Sequence, residues 1–316
     1  PSAWVSAPRF PTATATLVSQ SLVENTSGYA AFFAAKADGN TFDLSTVTAR
    51  VSGYSALYLD NASTNTFTRS YFGNAAGNGV TFGAGASSNT LSRSTVASSG
   101  AAARALSLFM ALDSYVYDSW LLGAGYGAYA ELSSRALILR STVTGLGAVP
   151  GFMVAGSSGV VLRDSYAQGS DAVNVYSSTA TAVENSNLKA TGGSGKALQF
   201  LQGSNGLSVA SATLTAASVG ILIEDGSRGP LTISSFSVTA STGLQFTGGT
   251  QVATVSLAGF LAGTAVNVDA SGLSGASRVT MRDAAGGRAG TLYETDPLGL
   301  VDWLPDANPV ILPGPF

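Results

Sequence analysis

One short pattern returns along almost the whole chain and restricts what the chain can fold into: an apolar residue, a small residue three positions later, and an apolar residue two positions after that. It reads Val18-Ser21-Val23, Phe42-Ser45-Val47, Phe67-Ser70-Phe72, Leu91-Ser94-Val96, Val116-Ser119-Leu121, Ile138-Ser141-Val143, Leu162-Ser165-Ala167 and Val183-Ser186-Leu188. Beyond these the serine is replaced while the frame persists, in Val209-Ala212-Leu214, Ile233-Phe236-Val238 and Val255-Ala258-Phe260. From position 21 to position 258, ten intervals span 237 residues, a mean period of 23.7. Self-similarity at 20 to 50 residues marks an architecture built by stacking one supersecondary unit.

Each period also holds a second pattern, a small residue followed by apolar, free, apolar, which is the alternation of a strand with one buried face. Examples are Ala56-Leu57-Tyr58-Leu59, Gly79-Val80-Thr81-Phe82, Ala105-Leu106-Ser107-Leu108 and Ala172-Val173-Asn174-Val175. Clusters of Gly, Ser, Asn and Asp separate the two patterns and supply turn chemistry. Two or three short strands per period, with no helical periodicity between them, predict an all-β solenoid of about 11 coils. Its strands pair with their equivalents above and below at about 4.8 Å, giving a rod on the order of 50 Å long. The column from Ser21 to Ser186 is expected to point inward and to hydrogen-bond from coil to coil.

Over roughly residues 17 to 280 this grammar resembles the single-stranded right-handed parallel β-helices of the pectate-lyase-like type. The resemblance lies in the repeat pattern, so it implies a fold and is nearly silent on activity. Enzymes of that kind use clustered aspartates, often with calcium, or an acid and a base on one outward face of adjacent coils. Here no Asp-Asp pair occurs anywhere in the chain. Asp118 and Asp164 share one repeat slot, with Arg140 between them and Arg93 and Arg69 before them, so that Arg69, Arg93, Asp118, Arg140, Asp164 and Asn185 form one outward column. This column is expected to be an ion-pair ladder, with a catalytic site of Asp118, Arg140 and Asp164 as the alternative.

Composition narrows the chemistry further. The chain contains no cysteine and no histidine, which removes thiolate nucleophiles, disulfides and every His-based triad or zinc site. The Gly192-Gly193-Ser194-Gly195 stretch lacks the aspartate a calcium roll requires. No metal and no cofactor is therefore expected. A net charge of −3, with 10% charged residues, leaves no basic footprint for nucleic acid. No apolar run reaches the 18 or so residues of a membrane span.

Prolines concentrate at the two ends, which predicts three segments: an N-terminal cap or arm at 1–16, the β-helix at 17–283, and a C-terminal cap with a Pro-rich arm or linker at 284–316. Trp4 and Phe10 are candidates to cover the first coil, and Tyr293, Leu298 and Leu300 the last. The start at Pro1 points to a processed form or an excerpt of a longer protein.

The outward positions carry the remaining functional signal. After the serine column they run Thr46, Tyr71, Thr95, Trp120, Thr142, Tyr166, Asn187, which places Tyr71, Trp120 and Tyr166 on every second coil. In the other strand they run Phe33, Tyr58, Thr81, Ser107, Tyr129, Met153, Asn174, Gln199, Leu222, Gln245, Asn267. Rings at two-coil spacing suit stacking on alternate sugars of an extended glycan, or interdigitation with a neighbouring rod. The sequence thus predicts a non-catalytic extracellular or cell-surface module, structural or adhesive, whose partner is itself (a homo-oligomer or filament) or a surface glycan. The alternative is a polysaccharide-binding or polysaccharide-degrading β-helix, tailspike-like modules included.

Overall fold

In a computed structural model of the chain, each repeat becomes one turn of a parallel β-solenoid. The structure describes residues 3–4, 9–224, 226–248, 252–260, 265–275, 277–283, 291–304 and 311–313. Among these there is no helix, and the strands stack into about eleven turns. Through most of the rod each turn contributes one strand to each of three parallel sheets, and at Arg228–Thr239 a single strand runs through the first two. Sheet 1 contains Thr66–Thr68, Thr90–Ser92, Tyr115–Tyr117, Leu137–Leu139 and Val161–Arg163; sheet 2 contains Tyr71–Asn74, Thr95–Ser98, Trp120–Gly123, Thr142–Gly145 and Tyr166–Gly169; sheet 3 contains Asn78–Phe82, Leu106–Phe109, Ala128–Glu131 and Phe152–Ala155, each continued in both directions. The register keeps the repeat frame: Leu91 lies beside Phe67 and Val116, and Val96 beside Phe72 and Leu121.

The chain turns between sheets with residues in the left-handed backbone region. Between sheets 1 and 2 a single such residue suffices, and Gln20, Leu44, Arg69, Arg93, Asp118, Arg140, Asp164, Asn185 and Ser211 all have φ between 44° and 52°. This conformation costs a non-glycine residue roughly 1–2 kcal/mol. The small residue that follows offsets it. Ser119 Oγ donates to the Tyr117 carbonyl at 2.7 Å and accepts from the Ser94 amide of the preceding turn at 3.2 Å. The same pair of bonds recurs at Ser45, Ser70, Ser141, Ser165 and Ser186. The serine column thus lies inside, as its spacing predicts, and it ends where Ala212 takes the slot.

Two further columns occupy the bend from sheet 3 to sheet 1. Asn40, Asn65 and Asn89 are buried and chained, with Asn65 Oδ1 accepting from the amide and side chain of Asn40, and Asn89 Oδ1 accepting from those of Asn65. Farther along, Ser133, Ser157, Ser178 and Ser204 form a second ladder of Oγ atoms that accept from the amide one turn earlier. Neither column was evident from the repeat, because each covers only part of the rod.

Between the columns the interior is apolar. Phe33, Phe42, Phe67, Phe72 and Phe82 fill the N-terminal turns with centroids 5.6 to 6.1 Å apart, and from Leu91 onward aliphatic residues predominate, with Phe152, Phe200, Phe236 and Phe246 buried among them. Phe10 stacks on Phe33 at 4.5 Å, so it covers the end of this aromatic column. The strand Ala3–Trp4 pairs with Leu22–Val23, while the side chain of Trp4 lies outside the described residues. At the other end Val301–Leu304 pairs with Arg278–Asp283, and Ile311–Pro313 with Thr291–Thr295. Strand pairing therefore continues past residue 283, as an unpaired edge favours. Leu300 packs in the core and Leu298 is exposed; the side chains of Tyr293, Val255, Ala258 and Phe260, and residues 284–290 and 305–310, lie outside the description.

One expected surface residue is a core residue. Phe33 is fully buried, and Phe32 takes the outward place opposite Tyr58. In the strand Ala31–Phe33 the alternation begins on an inward alanine, so a phase one residue off reverses both rings.

Candidate functional site

The left-handed residues at the bend between sheets 1 and 2 direct their side chains outward, turn after turn, and the first outward residue of each sheet 2 strand stands beside them. That outward row is in register from Tyr71 through Thr95, Trp120, Thr142, Tyr166 and Asn187 to Thr213. Adjacent members are about 4.8 Å apart, so Tyr71, Trp120 and Tyr166 lie about 9.6 Å from one another along the rod. Trp120 is 56% exposed and Tyr71 40%. Tyr166 is half-buried, its hydroxyl donates to Gln168 Oε1, and burial pushes its pKa up.

A groove follows this bend. One stretch, of about 360 Å³, is lined by Arg93, Thr95, Asp118, Trp120, Arg140 and Thr142. The next, of about 490 Å³, includes Arg140, Thr142, Asp164, Tyr166, Asn185 and Asn187. Arg140 and Thr142 line both, which makes one open furrow with an aromatic ring in each half.

The charges in the furrow are largely tied to one another. Arg140 donates from Nε and Nη2 to the two carboxylate oxygens of Asp118 at 2.7 and 3.0 Å. This fork holds the Asp118 carboxyl below its usual range and raises Arg140. Asp164 accepts from Asn185 Nδ2 at 2.5 Å. Arg69 leaves the column and pairs with Asp43 in sheet 1. Two pairs that the repeat did not disclose are Arg163 with Glu184 in sheet 1 and Arg135 with Asp113 on the sheet 3 to sheet 1 bend. The guanidinium of Arg93 has no hydrogen-bond or ion-pair partner among the described residues. A general acid must hold a proton near neutral pH, and a carboxylate clamped by arginine cannot. Asp118 is thus clamped by Arg140, while Asp164 stands beside Asn185 in the next turn. No group of three or more acidic residues that would suit a metal ion occurs among the described residues.

The outer face of sheet 3 differs from the expected open stripe. Tyr58, Thr81, Ser107, Tyr129 and Met153 are in register, but Thr81, Ser107, Asn174, Gln199 and Leu222 are all buried. Neighbouring side chains lie across part of this row. Arg104 sits 3.6 Å above the Tyr129 ring and bonds Ser107 Oγ and Glu131, while Tyr29 stacks on Phe32 and Tyr58. Tyr58 and Tyr129 thus spend their ring faces on their own chain. The side chain of Asn267 lies outside the described residues.

Comparison with known proteins agrees with this architecture. The family described as right handed beta helix region matches residues 107–258. Among solved structures, the A-module of the mannuronan C-5 epimerase AlgE4 of Azotobacter vinelandii superposes with a TM-score of 0.65 over 89% of this chain and 84% of its own, at 10% identity. Tailspike protein 2 of Escherichia coli O157:H7 bacteriophage CAB120 gives 0.58 over 80% of this chain at 9% identity, and this chain spans only 37% of that tailspike's length. The polygalacturonase of Erwinia carotovora ssp. carotovora gives 0.51 over 98% of both chains at 10% identity. At such identities the likeness establishes the fold alone. No curated protein matches by sequence.

Proposed function

We propose that this right-handed parallel β-helix is a non-catalytic, extracellular or cell-surface module that binds an extended polysaccharide along the furrow between sheets 1 and 2. The observation that carries the reading is the in-register row in which Trp120 and Tyr166 stand two turns apart beside Arg93, Arg140, Asp164 and Asn185. An exposed indole offers a flat apolar face to a sugar ring, and the intervening Thr142 with the flanking charged and amide groups offers hydrogen bonds to hydroxyls. Solved structures of similar fold include a mannuronan epimerase, a polygalacturonase and a phage tailspike, which is consistent with a scaffold suited to long glycans.

Binding without turnover is the part of the proposal that rests on electrostatics. Arg140 clamps the Asp118 carboxylate and holds it below its usual range, which keeps it from serving as a general acid near neutral pH. Titration calorimetry of the purified chain against a set of neutral and acidic linear polysaccharides tests both parts. At least one glycan should bind, and Trp120→Ala should weaken it about 30-fold, the loss expected for a central aromatic anchor. Wild-type affinity in Trp120→Ala would refute the furrow, and release of new reducing or unsaturated ends by the wild-type chain would refute the non-catalytic assignment.

A further inference from the structure

The outer face of sheet 1 has no part in the glycan reading, yet it has the composition of an interface. With coils numbered so that Tyr115–Tyr117 is the fifth sheet 1 strand, coils three and four present Thr66, Thr68, Thr90 and Ser92 outward. Coils five to seven present Tyr115, Tyr117, Leu137, Leu139 and Val161, all partly exposed, with the two tyrosine rings parallel at 6.0 Å. On the adjoining bend Met110, Leu112 and Leu132 are 42%, 40% and 51% exposed, all leading into coils five and six. Bidentate ion pairs flank this patch on both sides, Asp113 with Arg135 on one bend and Asp118 with Arg140 on the other. An apolar centre with a charged rim is the anatomy of a protein interface.

The order of the charges identifies the occupant. A second copy turned by 180° about an axis that crosses the face between coils five and six sets coil three opposite coil eight, four opposite seven and five opposite six. Each bend then lies beside its own equivalent. Along the sheet 1 to sheet 2 bend, Asp118 meets Arg140, Arg93 meets Asp164, and Arg69 meets Asn185. On the other bend Asp113 meets Arg135 and Met110 meets Leu132. Across the strands Tyr115 meets Leu137, Tyr117 meets Leu139, Ser92 meets Arg163, and Thr68 meets Glu184. No like charges oppose each other in this arrangement, and Arg93, which makes no hydrogen bond or close ion pair of its own and only a coulombic contact with Asp118, gains a carboxylate. The alternative, an axis parallel to the rod, sets Asp113 against Asp118 and Arg135 against Arg140, which like-charge repulsion disfavours.

We propose that sheet 1 between coils four and seven is a self-association face on which two copies pack antiparallel about a two-fold axis between coils five and six. Such an interface is isologous and closes on itself. It leaves the rings of Tyr71, Trp120 and Tyr166 open on sheet 2 of each copy, while the furrow residues Arg93, Arg140, Asp164 and Asn185 lie along the edge of the contact.

Sedimentation equilibrium of the full chain, without glycan, reads this independently of the proposed function. Wild type should reach twice the monomer mass at micromolar to submillimolar concentration. Arg93→Asp, which sets two carboxylates opposite each other, should weaken association at least tenfold, and the double exchange Arg93→Asp with Asp164→Arg should restore it. Leu139→Glu should be monomeric with an unchanged strand-rich circular dichroism spectrum. Because the chain has no cysteine, Arg93→Cys mixed with Asp164→Cys should cross-link under oxidation. Arg93→Cys alone should not, since its two copies lie three coils or about 14 Å apart along the rod, beyond the roughly 4.4–6.8 Å a disulfide spans. A wild-type monomer at several hundred micromolar, a dimer indifferent to Arg93→Asp, or self-cross-linking of Arg93→Cys would overturn the proposal.

Discussion

Replacing Ser119 by alanine removes a single oxygen from the middle of the rod and tests whether the inward serine ladder stabilises the bends. The Oγ of Ser119 accepts from the Ser94 amide and donates to the Tyr117 carbonyl, and the residue is 5% exposed. Alanine fits the space, so no cavity beyond one oxygen and no strain is introduced. Two neutral hydrogen bonds disappear, at about 0.5–1.5 kcal/mol each, and the Ser94 amide loses its acceptor. The expected destabilisation is about 2–3 kcal/mol. Because a repeat array can unfold in parts, the global urea midpoint should be read together with hydrogen exchange at the Ser94 amide. That amide should lose protection, while amides in turns several coils away keep theirs. Thr95→Ala, an outward residue beside the ladder, is the control, expected within about 0.5 kcal/mol of wild type. If Ser119→Ala matches that control and exchange at Ser94 is unchanged, the ladder follows the fold without supporting it, and the account given for the left-handed bends fails.

Two other perturbations probe different links. Asn65→Ala breaks the buried asparagine chain in both directions, exposing the Asn40 amide and the Ala37 carbonyl to an unmet hydrogen bond; urea denaturation should show a loss of about 2–4 kcal/mol, more than Ser119→Ala, because two backbone groups are orphaned. For pH, Asp113 and Asp118 are held below their unfolded values by Arg135 and Arg140, so their contribution is present above about pH 4 and is lost as pH falls through the folded values. With no histidine in the chain, the melting temperature should be flat from about pH 5 to 8 and fall below about pH 4; a transition near pH 6.5 would contradict this assignment of charges.

The coil count, the parallel pairing and the inside of the serine column were all legible in the sequence, because a solenoid writes each row of its interior as one residue class per period. The aromatic row Tyr71, Trp120, Tyr166 was legible for the same reason: the residue after each serine must alternate outward, so spacing alone sets its register. Phe33 was misplaced because two adjacent phenylalanines carry no phase, and only the pairing of Ala31 with Leu57 decides which ring enters the core. The chain of Asn40, Asn65 and Asn89 was missed because Ser114, Ala136 and Val160 take over its row, leaving a pattern too short to stand out. Tertiary structure alone decided which charges pair and which outer faces stay open. Arg69 reaches sideways to Asp43 rather than along its own column, and Arg104 folds over Tyr129 and Ser107 to close part of sheet 3. Periodicity specifies the row a residue joins, but the reach of a long flexible side chain is settled only by the neighbours that the stacked coils place around it.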